Sequence, residues 1–364
     1  MFRVPVTAFA GEKLDFVEAK SVVLMCMENG EVLYKENEYE HLSPASVTKI
    51  MTILLVLEAL EAGKIKMDDK VSASEEAVSM GGSQIWLEVG EQMTVEELFK
   101  AVVVASANDA CTALAEYVGG STTGFVKMMN ERAAALGCKN TNFENCNGLD
   151  DTVKAHYSCA YDLALITKEV MKHEIIKKYT SIWLDSLRNG ETELNNTNKL
   201  VNTYNGITGL KTGTTSNAGF CISATATRDG MSLVAVVLGS ETSDKRFDTA
   251  ANLLDWGFAN YELITPEIDS SKIKTVKVIG GDIKEIKPSY NSNEKVLVKK
   301  GANKIKLKYK LKTSIEAPVN SGDALGKILI FDNEQEIGSI EIIADKNVKR
   351  LTIKDIFNII FNNI

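Results

Sequence analysis

Histidine is scarce in this chain, with three among 364 residues. No H-E-x-x-H motif and no group of cysteines and histidines stands at metal-ligand spacing, which argues against a zinc enzyme. The lone Cys/His neighbourhood, His156 with Cys159, reads as part of a helix start. The six cysteines, Cys26, Cys111, Cys138, Cys146, Cys159 and Cys221, contain no C-x-x-C pair. A chain of this length needs no disulfide staples, so most of them read as buried thiols. No apolar run is long and uninterrupted enough for a transmembrane helix. Low-complexity and disordered composition are missing too, and 45% hydrophobic with 25% charged residues is ordinary for a globular chain of two or three domains.

The net charge of -8 is unevenly shared. Residues 264–364 carry 18 Lys and Arg against 13 Asp and Glu, a net of +5, which leaves 23 against 36, or -13, for residues 1–263. The acidic larger part argues against nucleic acid as a partner. At the start, Ala8-Phe9-Ala10 has the A-x-A form of a signal-peptidase site, but the apolar core that should precede it is missing. Residues 1–19 therefore read as a tail that is the remnant of a signal peptide, not a complete one.

The stretch "SPASVTKIM", residues 43–51, opens a helix that runs to Gly63. Ser43 and Pro44 suit a helix entrance, through a capping hydroxyl and a proline tolerated in the first turn. Val47, Ile50, Met51, Ile53, Leu54, Leu55, Val56, Leu57 and Leu60 make this helix apolar on nearly all sides. Lys49 is out of place there, because a buried ammonium is costly unless it is partnered or loses its proton. Residues three apart share a helix face, so Lys49 lies against Ser46, as an amine base lies beside a hydroxyl nucleophile. S-x-x-K by itself equally describes a capped helix with a snorkelling lysine.

Along the rest of the chain, residues 21–35 read as two strands around an Asn29-Gly30 turn. A helical stretch from about 94 to 174 contains a Thr94/Glu97 capping box. Strands return at "ITGLKTGTT", "GFCISATA" and "MSLVAVVLG", followed by a helix from about Asp244 to Phe258. The fold class is α+β: one antiparallel sheet with helices on both faces and a mainly helical lobe, over residues 20–263. Residues 264–344 read as a small all-β sandwich. Within it, Ile305, Leu307, Tyr309 and Leu311 alternate with Lys304, Lys306, Lys308, Lys310 and Lys312, a half-buried strand whose lysines either guard an exposed edge or meet an anionic surface. In residues 345–364, Ile353, Ile356, Phe357, Ile360, Phe361 and Ile364 share one helical face behind Lys346, Lys349 and Arg350, an amphipathic helix suited to lying in a membrane interface.

Two further motifs join the first. "SAND" spans Ser106 to Asp109, where one helix stops and another starts, and "KTGTT" begins at Lys211 on a strand whose Gly213 leaves room for another backbone. A Walker loop is excluded, because Leu210 precedes Lys211 and strands follow it. In this order the motifs resemble those of the penicillin-recognising serine enzymes. "SPASVTKIMT", "SANDA", "NGLD", "HYSCAYDLALI", "GLKTGTTSNAGFCISATA" and "LGSETSDKRFD" make the chain similar, from about residue 20 onward, to the D-alanyl-D-alanine carboxypeptidases of low molecular mass, with a β-lactamase/D,D-peptidase-like catalytic domain.

The resemblance implies that Ser46 attacks the bond between two terminal D-alanines, that Lys49 is its base and that Ser106 relays a proton to the leaving amine. It places Asn108 on the substrate backbone or on Lys49. Lys211, Thr212, Gly213, Thr214 and Arg246 would meet the substrate's carboxylate, and the backbone amides of Ser46 and Thr214 would form the oxyanion hole. The implied partners are peptidoglycan stem peptides ending in D-Ala-D-Ala, β-lactam antibiotics as covalent inhibitors, and the outer face of the cytoplasmic membrane through the terminal helix, and the resemblance implies no metal and no cofactor. Asn147 stands where several relatives carry histidine, and Asn196 where some carry arginine. A serine β-lactamase, a D,D-endopeptidase and a catalytically idle wall-binding or membrane-binding module are the alternatives. Against the lactamase, Glu144 has Gly148 where a class A enzyme has an asparagine four residues on.

Overall fold

The computed structural model describes residues 13–151, 153–301, 305–355 and 357. The chain divides into two compact units, one within Ala8–Ala259 and one within Asn260–Ile364. The A-x-A sequence at 8–10 lies outside the described residues.

Five long strands form the sheet of the first unit: β1 (Ser21–Cys26), β2 (Val32–Glu36), β3 (Ile207–Thr215), β4 (Gly219–Arg228) and β5 (Met231–Ser240), in the order β2-β1-β5-β4-β3. All neighbours are antiparallel. The sheet has helices on both faces because its central strands are apolar on both. Val23 and Met25 of β1 join the core built on α1 (Lys49–Glu61), whereas Leu24 and Leu233 press so closely on Gly257 that a Cβ there would meet them at 2.9 and 2.6 Å. Gly257 belongs to the last long helix of the unit, Ser243–Asn260. The lobe between the two parts of the sheet holds α2 (Val95–Val104), α3 (Asn108–Gly119), α4 (Thr122–Ala135) and α5 (Ala160–Val170). Thr94 and Glu97 make the capping box of α2, and Gly120, at φ +73°, ends α3 in the left-handed region that favours glycine.

The start of α1 differs from its sequence reading. Ser43 caps nothing: its hydroxyl donates to Asp150 Oδ2 at 3.1 Å, and the chain enters α1 through a 3-10 turn, Ala45–Thr48, without a side-chain cap. Val47 N bonds Pro44 O instead. The reason is spatial, since Asp150 sits close enough to draw the hydroxyl away from the turn.

In the second unit, strands Pro288–Tyr290, Gln335–Ala344, Ala324–Asp332 and Ile305–Leu311 form a four-stranded sheet in that order. Val276–Ile279 pairs with Glu285–Ile286 and Ser314–Glu316. The apolar face of each sheet feeds one core that includes Val276, Ile286, Ile328, Ile330 and Ile342. The lysine-bearing strand is an edge, with Lys306, Lys308 and Lys310 exposed, as a strand protected against edge pairing should be. Of the terminal amphipathic helix only its first turn is described: Thr352 and Asp355 bond reciprocally there, and Ile356, Ile360, Phe361 and Ile364 lie outside the described residues.

Candidate active site

Burial puts Lys49 at the centre of the site. Its side chain is fully buried at the first turn of α1, and Nζ bonds Ser46 Oγ at 2.9 Å, Asn108 Oδ1 at 2.6 Å and the Asn147 carbonyl at 2.8 Å. The Asn108 amide is oriented by its own second bond, Nδ2 to Gly81 O at 2.6 Å, so its oxygen is the atom that faces the lysine. Burial lowers the Lys49 pKa from 10.5 to about 8, against an opposing pull from Cys111, Cys146 and Asp109. An amine in that range is partly neutral near physiological pH.

Neutral Lys49 has two N–H groups and one lone pair. Asn108 Oδ1 and Asn147 O are acceptors only, so they take the two N–H groups and leave the lone pair to the Ser46 hydroxyl. Ser46 is half-buried in the 3-10 turn. The geometry therefore suits proton removal from a serine nucleophile.

Strand β3 lies against this turn. A Cβ on Gly213 would meet Pro44 O at 2.8 Å, Ser46 N at 2.8 Å and Val47 N at 2.9 Å, so the residue must be glycine for the strand edge to approach the nucleophile. Strand alternation puts Lys211 on the same face as Gly213 and turns Thr212 and Thr214 to the other. Lys211 is fully buried, and burial together with the nearby Lys49 and Arg246 charges pushes its pKa well down. Thr212 Oγ1 donates to Thr197 Oγ1 at 2.7 Å, while Thr214 is exposed and accepts from Arg246 Nη1 at 3.2 Å.

Arg246 is no surface cation. It is 5% exposed, bonds the Gly213 and Cys221 carbonyls at 3.3 Å, and lies 4.3 Å over the Phe247 ring. Its Nε has no hydrogen bond, and none of the ion pairs among the described residues includes it. Burial lowers its pKa to about 10. A buried guanidinium without a carboxylate, beside an exposed threonine, suits an incoming carboxylate.

Ser106 is buried between α2 and α3 in the left-handed region, at φ +63°, two residues before Asn108. Its neighbour Asp109 is fully buried and accepts the amides of Ile85 and Leu87 at 3.1 Å, and Ser83 O accepts Asn108 N at 2.7 Å. The "SAND" segment thus fastens the 81–91 loop to the helix that holds Asn108.

Several contributors escaped the sequence reading. Asn147 acts through its backbone carbonyl, and its side chain bonds Leu149 N and Met80 Sδ, so no side-chain signature marks it. Asp150 joins Ser43 on one side to Thr215 Oγ1, at 2.5 Å, on the other. His156 is more than part of a helix start: Nε2 bonds Thr48 Oγ1 at 2.8 Å, Nδ1 accepts the Glu144 amide at 3.0 Å, and burial lowers its pKa to about 4, so a neutral ring fixes the residue before Lys49. Asn196 spends its amide on Ile182 O and Asn198 N. Glu144 is exposed and accepts the Lys154 and Ala155 amides, which commits it to its own loop and not to a deacylating water.

Comparison with known proteins identifies the family. The family model for peptidase S11, D-alanyl-D-alanine carboxypeptidase, matches residues 8–242, and that for the penicillin-binding protein 5 C-terminal domain matches residues 261–350. D-alanyl-D-alanine carboxypeptidase DacF of Bacillus subtilis (strain 168) is 43% identical over 338 residues, 92% of this chain and 86% of the relative. The crystal structure of penicillin binding protein 5 from Haemophilus influenzae aligns with a TM-score of 0.84 at 31% identity, over 93% of this chain and 100% of that one. Penicillin-binding protein D2 from Listeria monocytogenes in its ampicillin-bound form aligns with a TM-score of 0.62 at 31% identity, over 68% of this chain and 100% of that one.

Proposed function

The chain belongs to the D-alanyl-D-alanine carboxypeptidase family of serine peptidases, and from that premise we propose how its residues divide the work of removing a terminal D-alanine from peptidoglycan stem peptides. Ser46 Oγ attacks the penultimate D-alanine carbonyl while Lys49 takes its proton, and the backbone amides of Ser46 and Thr214 receive the developing oxyanion. Lys211, Thr212, Gly213, Thr214 and Arg246 hold the terminal carboxylate. Ser106 passes a proton to the departing D-alanine amine, and Asn108 holds Lys49 in place. Water then releases the acyl group from Ser46. The observation that carries this reading is the triple hydrogen bonding of a buried Lys49, which leaves its lone pair for Ser46.

The test is D-alanine release from a peptide ending in Lys-D-Ala-D-Ala. Wild type should release it and Ser46→Ala should not; equal release from both would remove Ser46 from the mechanism. A β-lactam presents the same carbonyl and carboxylate, so penicillin should leave a slowly hydrolysed adduct on Ser46, visible by intact mass.

The second part of the proposal is attachment to the outer face of the cytoplasmic membrane. Lys346, Lys349 and Arg350 are exposed and precede Ile353 and Phe357, which are 77% and 57% exposed. Among the described residues no helix is long and apolar enough to cross a membrane, so attachment would be interfacial. Removing residues 346–364 should abolish co-sedimentation with anionic vesicles and leave D-alanine release unchanged. Undiminished vesicle binding would refute the anchor.

A further inference from the structure

Lys49 depends on two acceptors, and each has a cysteine beside it in the chain. Cys111 follows Asn108 by one turn of α3, and Cys146 immediately precedes Asn147. Both thiols are buried, at 0% and 3% exposure. Cys111 Sγ donates to the Cys146 carbonyl at 3.3 Å, Thr52 Oγ1 donates to the same carbonyl at 2.6 Å, and Thr112 Oγ1 lies 3.8 Å from Cys146 Sγ. Neither thiol takes part in the chemistry assigned above.

We propose that Cys111 and Cys146 are an oxidisable pair that closes to a disulfide behind the active site and slows acylation of Ser46 by displacing the acceptors of Lys49. The inference rests on the assignment of Ser46 and Lys49 as nucleophile and base. Both cysteines are free, and Cys111 Sγ rests on the Cys146 carbonyl, not on its sulfur, so closing the bond draws α3 and the 146–147 segment together. Asn108 Oδ1 and Asn147 O ride on those two segments and move with them. Small displacements of a positioned base have large kinetic effects.

A peroxide is the oxidant that fits so enclosed a pair. Burial pushes the Cys111 thiol up, but the neighbouring Cys146 thiol and the nearby Lys49 and Lys211 side chains outweigh it, so its pKa is lowered while that of Cys146 is raised. Cys111 is therefore the sulfur that attacks the peroxide. The O–O bond breaks, giving a sulfenic acid at Cys111 and one water. Cys146 sulfur then attacks the Cys111 sulfur, the S–O bond breaks, and a second water leaves. Two thiols give up two protons and two electrons, and one peroxide becomes two waters.

The folded, reduced full-length protein is treated with hydrogen peroxide, and its rate of acylation by penicillin is followed by intact mass. Oxidation should remove about 2 Da and yield a linked Cys111–Cys146 peptide after digestion. Acylation should slow by about tenfold or more and recover with a dithiol reductant. Cys146→Val and Cys111→Ala, each changed alone, should keep their acylation rates under the same treatment. The proposal fails if both thiols remain alkylatable after oxidation, if the linked protein is acylated as fast as the dithiol form, or if oxidant slows the single variants equally. A reduced protein that penicillin does not acylate would overturn the Ser46 assignment instead, and the linked peptide would still decide whether the pair oxidises.

Discussion

At the scale of single residues, the site depends on two lysines held where lysines are expensive. Lys49 and Lys211 are both fully buried, and each is penalised first by loss of water. For Lys49 the drop from 10.5 to about 8 corresponds to about 3 kcal/mol of folding free energy at neutral pH. The sign follows from proton binding: the unfolded chain holds the Lys49 proton more tightly, so this cost is full below pH 8 and disappears as pH rises toward 10.5. The same shift sets the pH dependence of the reaction. Because the base is the neutral amine, acylation by penicillin should rise with pH up to about 8 and then level off. Lys49→Arg keeps a cation that does not release its proton in this range, and should acylate about 10³-fold more slowly than the wild-type plateau with no rise toward pH 8. Stopped reactions read by intact mass between pH 6 and 9.5 would decide it. A rate that falls through pH 8 would mean that the protonated lysine is the working form.

At the scale of elements, what matters is how closely three backbones meet. The 3-10 turn carrying Ser46 is pressed by β3 on one side and by the 146–150 segment on the other. A Cβ on Gly213 would meet three backbone atoms at 2.8 to 2.9 Å, and one on Gly148 would fall 1.9 Å from Ala45 O. Gly213→Ala should therefore push β3 off the turn, with acylation about 100-fold slower and stability lower by about 1–3 kcal/mol. Gly63→Ala, at the open end of α1 with nothing within 4 Å of the added methyl, should cost only backbone strain and leave acylation unchanged. Equal acylation rates in the two variants would show that the close approach at Gly213 is immaterial. This layer is also where the sequence is least readable. Ser46, Lys49, Asn108 and the strand character of "ITGLKTGTT" follow from periodicity and motif, because side chains and hydrophobic spacing are written in the sequence. The Asn147 carbonyl, the Asp150 bridge and the ring of His156 against Thr48 join residues that are far apart in the chain, and no local pattern encodes such contacts. Ser43 shows the same limit, since a sound capping position lost its hydroxyl to Asp150 from 107 residues away.

At the scale of the whole molecule, the division of charge and the division of structure fall close together. Every group assigned to the chemistry lies between Ser46 and Arg246, within the unit that ends at Ala259. That unit has its own sheet, its own core and helices on both sheet faces, and the chain passes from its last helix, Ser243–Asn260, directly to a strand at Tyr261–Ile264 whose partner is Val296–Lys299 of the other unit. Cutting after Asn260 therefore breaks no strand pairing of the catalytic sheet. Residues 13–260 produced alone should fold and acquire a penicillin adduct on Ser46 within about twofold of the full-length rate, since acylation uses no group beyond Arg246. Vesicle binding should vanish in the same fragment, because the basic residues and the apolar helix face are gone together. A folded fragment with circular dichroism like that of the parent but no adduct would show that the β-rich unit is needed for the chemistry itself, and would overturn the assignment of catalysis to the first unit alone.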